Sequence, residues 1–206
     1  MSPETAARKR RSDGERSHLA ILRAAGQLAT VEGLEGLSIG RLAEVVGMSK
    51  SGLFAHFGSK EELQLATIEA ANDVFAEHVV EPASAAEGLE RLRLLAENFL
   101  RYVESRVFPG GCFFASVAAE LDTRPGPVRD RAVQLGGAWH RRLVEAAADA
   151  EARGELDPSE EPEQLAFEVN GYLLIANLQF VVRRTPDPIE RARNAVSRRL
   201  AAAAST

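Results

Sequence analysis

The chain has 206 residues, 45% hydrophobic and 27% charged, enough to bury a sizeable core in one or two domains, which excludes disordered, collagen-like and low-complexity classes for its bulk. Its net charge of −5 is unevenly placed: residues 1–60 carry +3 and residues 61–206 carry −8, a basic front on an acidic body that points toward nucleic acid. A single cysteine, Cys112, excludes an internal disulfide framework and Cys-based zinc clusters and suits a reducing cytoplasm.

The opening MSPETAARKRRSDG has no apolar run after its basic residues and does not read as a secretory signal; residues 1–16 read as a flexible basic arm without helical period. From Ser17 the spacing of Ile21, Leu22, Ala25, Leu28 and Ala29 predicts a helix that Gly33 ends. Ser38 caps a short second helix carrying Leu42, Val45 and Val46 and closed by Gly47. Ser49 caps a third, with Leu53 and Phe57 on one face and Gly58 as its stop. Ser59 and Glu62 form a capping box for a longer helix reaching about Val80, where Pro82 ends it. Further helices are expected over about 86–107, 112–121, 127–154, 162–184 and 189–204, set off by Pro109-Gly110-Gly111, Pro125-Gly126-Pro127, Pro162 and Pro186. The expected class is all-α with about nine helices. Its longest apolar stretch, Gly171 to Val182, is too short to span a bilayer, so no membrane partner is expected.

Residues 38–63, SIGRLAEVVGMSKSGLFAHFGSKEEL, follow the logic of a helix-turn-helix. The second helix braces against a duplex while the third, packed only through Leu53 and Phe57, turns Lys50, Ser51, Phe54 and Ala55 toward the major groove. Ser49 and Lys50 supply donors, and Gly52, costly by about 1 kcal/mol inside a helix, lets the backbone approach closely. Ser38 and Lys60 open the flanking helices, where free N–H groups and the helix dipole favour phosphates. Only three lysines occur, Lys9, Lys50 and Lys60, and two of them fall on this face. Each serine also has a plain structural reading as a helix cap, His56 one as a surface histidine, and Phe54 one as half-buried packing. The run Arg8-Lys9-Arg10-Arg11 is either a solvated tail or lies along phosphates.

The stretch resembles the tetracycline-repressor (TetR) family of bacterial regulators through Leu42-Ala43-Glu44, Gly47-Met48-Ser49-Lys50, Leu53-Phe54-Ala55-His56-Phe57 and Ser59-Lys60-Glu61-Glu62-Leu63. The resemblance covers residues 17–65 and implies a helix-turn-helix domain over 17–63, then a ligand-binding and dimerisation domain over 64–206, with repression relieved by a small molecule. It also implies DNA contacts from Ser38, Ser49, Lys50, Ser51, His56 and Lys60. Phe54 and Ala55 depart from its pattern, standing where the family commonly has a phosphate-donating tyrosine and a larger group.

Phe99, Tyr102, Phe113 and Asn170 are the expected lining of an apolar effector cavity, with Asn177 or Gln179 as further polar groups. One copy of a helix-turn-helix reads one half-site, so a palindromic operator requires a homodimer. The stripes of helices 162–184 and 189–204 are expected to form its four-helix contact. The helix beginning at Ser59 is expected to be the only long element shared by both domains. No cofactor is expected. The competing readings are a helical adaptor of the same fold and an enzyme using Cys112 with His140, the latter lacking a phosphate loop or metal-spaced ligands.

Overall fold

The computed structural model describes residues 3–121 and 125–205, and for residues 3–13, 15, 16, 119 and 121 the backbone alone. Nine α-helices account for them: α1 (Pro3–Glu32), α2 (Ile39–Val46), α3 (Lys50–Phe57), α4 (Lys60–Phe75), α5 (Gly88–Glu104), α6 (Phe113–Leu121), α7 (Pro127–Ala152), α8 (Pro162–Arg183) and α9 (Asp187–Ala203). Among the described residues the only β pairing is an isolated bridge between Leu156 and Ala204.

The N-terminal helices end as their residues dictate. Gly33, Gly47 and Gly58 take φ of +83°, +68° and +66°, the left-handed region that a Cβ disfavours, and each follows a helix. Ser38, Ser49 and Ser59 accept hydrogen bonds from the N–H groups of Arg41, Gly52 and Glu62 at 3.2, 3.1 and 3.1 Å. Each cap is worth about 1 kcal/mol. Ile21, Ala25, Leu34, Leu37, Leu42, Leu53, Phe57 and Leu63 are buried among α1 to α4, as part of a core continuous with that of the body. Arg41 ties α2 to α1 through a forked pair with Glu32 at 2.6 and 3.0 Å, which holds the Glu32 carboxyl below its ordinary range.

In the body, α5 is the central element: Leu92, Leu95, Ala96, Phe99, Leu100 and Val103 are buried against α7, α8 and α9. Where the sequence predicts one helix to about Val80, α4 widens into a π-helical turn over Ala76–Val80 and a 3-10 turn over Glu81–Ala83. Pro82 has no N–H to donate and its ring crowds the preceding turn. The side chain of Asn98 in α5 donates to the Val79 carbonyl at 3.1 Å.

Two expectations are corrected here. The arm is helical, since α1 begins at Pro3; Ala, Arg, Lys and Glu favour helix without needing an apolar face, while Met1 and Ser2 lie outside the described residues. The apolar stripe of α9, made by Ile189, Ala192, Val196 and Leu200, is buried within the protomer, with α9 packed on α5 and α8, so it is not free for a partner. Helix α8 is 22 residues long, and its most apolar stretch of 18 residues has a mean hydropathy of 1.4. By length and composition it is the one helix among the described residues able to cross a membrane. Its apolarity has a local cause. Leu165, Val169, Leu173, Ala176 and Phe180 face the core, while Phe167, Leu174, Ile175, Leu178 and Val182 form a second stripe that stays exposed among the described residues.

Candidate nucleic-acid interface

Helix α3 is held by two side chains. Leu53 and Phe57, four residues apart, are buried, each contributing about 1.5–3 kcal/mol, and Lys50, Ser51, Phe54, Ala55 and His56 are exposed around the remaining circumference. Phe54 is 55% exposed, so the half-buried packing open to it in the sequence is not what it adopts. An α-helix fits the major groove, and this one leaves the side chains of its first turn and outer face exposed.

The polar groups on that face are only lightly engaged. The Ser49 hydroxyl accepts from Gly52 and lies 3.3 Å from the Ser51 hydroxyl, while the Ser38 hydroxyl accepts from Arg41. A hydroxyl that accepts one bond keeps its own O–H to donate. The Lys50 stem crosses the start of α2 at Gly40, where a Cβ would stand 3.3 Å from its Cε. That close crossing is a reason for glycine in α2. Gly52 likewise has an internal reason besides approach to DNA, since a Cβ there would meet Ser49 Oγ at 3.0 Å.

Lys60 opens α4, and its ammonium donates to the Glu35 carbonyl at 2.7 Å and to the Glu35 carboxylate at 3.2 Å. Both side chains are well exposed, so the pair is worth at most about 1 kcal/mol and exchanges readily for a phosphate. His56 sits beside His18 of α1, ring centroids 5.8 Å apart, and His18 stacks on Phe57 at 5.1 Å. Side chains at Arg8, Lys9, Arg10 and Arg11 lie outside the described residues.

The expected effector residues occupy a closed cluster. Phe99 and Phe113 are fully buried and Tyr102 nearly so. Phe99 stacks on Trp139 at 5.6 Å, Phe75 meets Tyr102 edge-on at 5.6 Å, and Phe113 lies against Phe108 at 5.9 Å. Asn170 borders this cluster, accepting from the Trp139 indole at 3.0 Å. Asn177 accepts from the Cys112 N–H at 2.8 Å, fixing the entry to α6. A cavity of about 590 Å3 lies instead between α1 and α4, beside Leu22, Gly26, Val74 and Phe108. Burial pushes the Cys112 thiol up to about 11, leaving it protonated near neutrality.

The Tyr102 hydroxyl is buried without a well-formed hydrogen bond, although the Phe113 backbone lies near it, and burial raises it well above the ordinary tyrosine range. Tyr102→Phe is therefore expected to leave stability unchanged or raise it by up to about 1 kcal/mol, roughly 2–4 °C in Tm. A calorimetric loss above that size would mean the hydroxyl has a strong partner.

Sequence reasoning missed how the front domain is fastened to the body. Helix α4 is not the only link, because α1 packs on α6 as well. Glu120 of α6 accepts from the N–H groups of Leu34 and Glu35, both at 2.7 Å, and Gln64 of α4, buried, donates to the Leu34 carbonyl at 2.7 Å. Glu120 stands 86 positions from Leu34, so no local pattern announces the contact.

The comparisons with known proteins agree with this geometry. The family profile described as bacterial regulatory proteins, tetR family, matches residues 21–67, and the one described as tetracyclin repressor-like, C-terminal domain, matches residues 88–196. Transcriptional regulator AcuR of Cereibacter sphaeroides is 26% identical over 184 residues, covering 86% of this chain and 82% of that protein. A TetR transcriptional regulator of Chloroflexus aurantiacus shares the fold with a TM-score of 0.81 at 23% identity, covering 94% of this chain and 98% of that one. The regulator AibR, solved with isovaleryl coenzyme A and operator DNA, aligns with a TM-score of 0.68 at 26% identity, over 86% of this chain and 94% of its own. With one profile on the helix-turn-helix and the other on more than half of the chain, the protein belongs to the tetR family and is a ligand-responsive DNA-binding transcriptional regulator.

Proposed function

We propose that the protein is a cytoplasmic homodimer that represses transcription from a palindromic operator and is released by a small apolar or amphipathic molecule. The observation that carries this reading is α3, anchored by Leu53 and Phe57 alone and exposing Lys50, Ser51, Phe54 and His56 on its outer face. In it, residues 17–63 form the reading head and residues 64–206 the body. Ser49, Lys50 and Ser51 offer donors to base edges, Phe54 and Ala55 offer apolar contact to thymine methyls, and Ser38, His56 and Lys60 face phosphates. The reading assigns no catalytic role, and the protonated thiol of Cys112 supports that.

The exposed apolar stripe of α8 supports the dimer, because five large side chains on one face are more than a surface helix ordinarily leaves to water. For release, a ligand taken up among the body helices near Phe99, Tyr102, Phe113 and Asn170 shifts α4 and changes the separation of the two heads. Occupancy falls if that ligand prefers the state with wrong spacing, and a coupling of about 1–3 kcal/mol gives roughly 5–150-fold weaker DNA binding.

Two substitutions test the head. Lys50→Ala is expected to weaken the preferred operator by about 1–3 kcal/mol and to relax selectivity at one base pair. Lys60→Ala is expected to weaken all duplexes alike and reduce the slope of log K against log salt by about 1. Anisotropy titrations over a range of salt concentrations read both, and negligible effects of both would remove the assignment.

A further inference from the structure

We propose that Glu120 is the positioning residue through which the body sets the placement of the reading head, so that it governs operator spacing without touching DNA. This rests on the reading of the protein as a dimer on two half-sites.

The carboxylate of Glu120 accepts two consecutive backbone N–H groups, those of Leu34 and Glu35, at 2.7 Å each. Bonds to an ionised acceptor are roughly twice as strong as neutral ones, and two of them on adjacent amides fix direction as well as distance. The chain makes room for this grip. Gly33, at φ +83°, ends α1, and a Cβ there would stand 3.0 Å from Glu120 Oε2. On the carbonyl side the segment is tied to α4: Gln64 donates to the Leu34 carbonyl, which also accepts from the Leu37 N–H inside the turn, and Lys60 donates to the Glu35 carbonyl and carboxylate. Residues 33–36 are therefore a clasp, with the body on its amide side and the start of α4 on its carbonyl side. Helix α2 begins three residues beyond it, at Ile39, and carries α3 with it.

Helix α6 is short enough to act as a rigid strut. Its nine residues span about 13 Å. The end at Phe113 and Phe114 lies in the aromatic cluster and is pinned where Asn177 of α8 accepts from the Cys112 N–H. The other end carries Glu120. A displacement at the aromatic end reaches the clasp as movement of one carboxylate, and with it the α1–α2 turn and both helices of the reading motif.

The test separates head placement from head integrity. Wild type, Glu120→Gln, Glu120→Ala and Glu120→Asp are titrated against three duplexes: the operator recovered by selection from random DNA, the same site with one base pair added between half-sites, and a single half-site. Glutamine keeps the volume but sets an amide N–H against a backbone N–H, so one bond is lost. Glu120→Gln and Glu120→Ala are expected to bind the single half-site within about twofold of wild type. On the native operator they are expected to bind about tenfold more weakly, and to lose most of the preference for native over lengthened spacing. Glu120→Asp recovers part of that preference. Unchanged operator affinity and spacing preference in Glu120→Gln overturns the proposal, as does an equal loss on the single half-site, which would make Glu120 a stabiliser of the head's own fold. Melting curves show whether Glu120→Ala folds, and if it does not, Glu120→Gln decides. Wild type that binds the half-site as tightly as the operator would instead overturn the two-half-site reading.

Discussion

Leu178→Glu is expected to convert the dimer into a folded monomer and to abolish tight operator binding. Leu178 is 57% exposed on α8, between Ile175 and Val182 on the same uncovered stripe, so glutamate there meets water in the protomer and its core is untouched. At a two-fold contact, the same substitution places two carboxylates in an apolar interface, each deprived of solvent and facing a like charge. Without the second head, binding loses the effective concentration that tethering supplies, which is worth about 100- to 10,000-fold on a site with two half-sites. Sedimentation at micromolar concentration reads the first effect and anisotropy on operator and half-site the second. A variant that still sediments as a dimer moves the interface away from α8. A variant that loses its helical circular dichroism shows that the stripe belongs to the fold.

Phe99→Ala is expected to destabilise the protein by about 3–5 kcal/mol, lowering Tm by roughly 10 °C. Phe99 is fully buried on α5, stacked on Trp139 and beside Phe75, so truncation removes a whole ring from a packed site that cannot collapse around the loss. That is a large share of the roughly 5–15 kcal/mol that holds a domain together. The same measurement distinguishes two states of the body. A cost below about 1 kcal/mol would mean the ring lines space that is open in solution, whereas the full cost means that an effector entering near Phe99 must first part the cluster. Benzene restoring part of the lost Tm in the variant would locate the vacated volume.

Most of the reading head was legible because its signals are local. A serine whose hydroxyl caps an N–H three residues on, a glycine that can take positive φ, and Leu53 and Phe57 one turn apart are all decided within a few residues. Their physics does not depend on what packs outside them. The same holds for the helix starts at Pro127 and Pro162. The arm was misread for a related reason: an apolar period was sought, and residues 3–16 have none, yet helix propensity alone suffices for their backbone.

What the sequence by itself determined is the all-α class, the helix-turn-helix and the residues on its outer face, because periodicity, caps and stops are properties of neighbouring residues. Tertiary structure alone decided which apolar stripes of the last two helices are covered. α8 has apolar residues on two sides and α9 on one, and only the packing of α8 on α5, α7 and α9, and of α9 on α5 and α8, leaves the Phe167–Val182 stripe of α8 bare while burying that of α9. It also decided that the four aromatic and amide residues named for an effector share a closed cluster and its border, since core and cavity linings have the same composition. The Glu120 clasp belongs to this second group. A carboxylate finding two backbone amides 85 and 86 positions away leaves no trace in the sequence, because the partner groups are peptide N–H groups that nearly every residue carries.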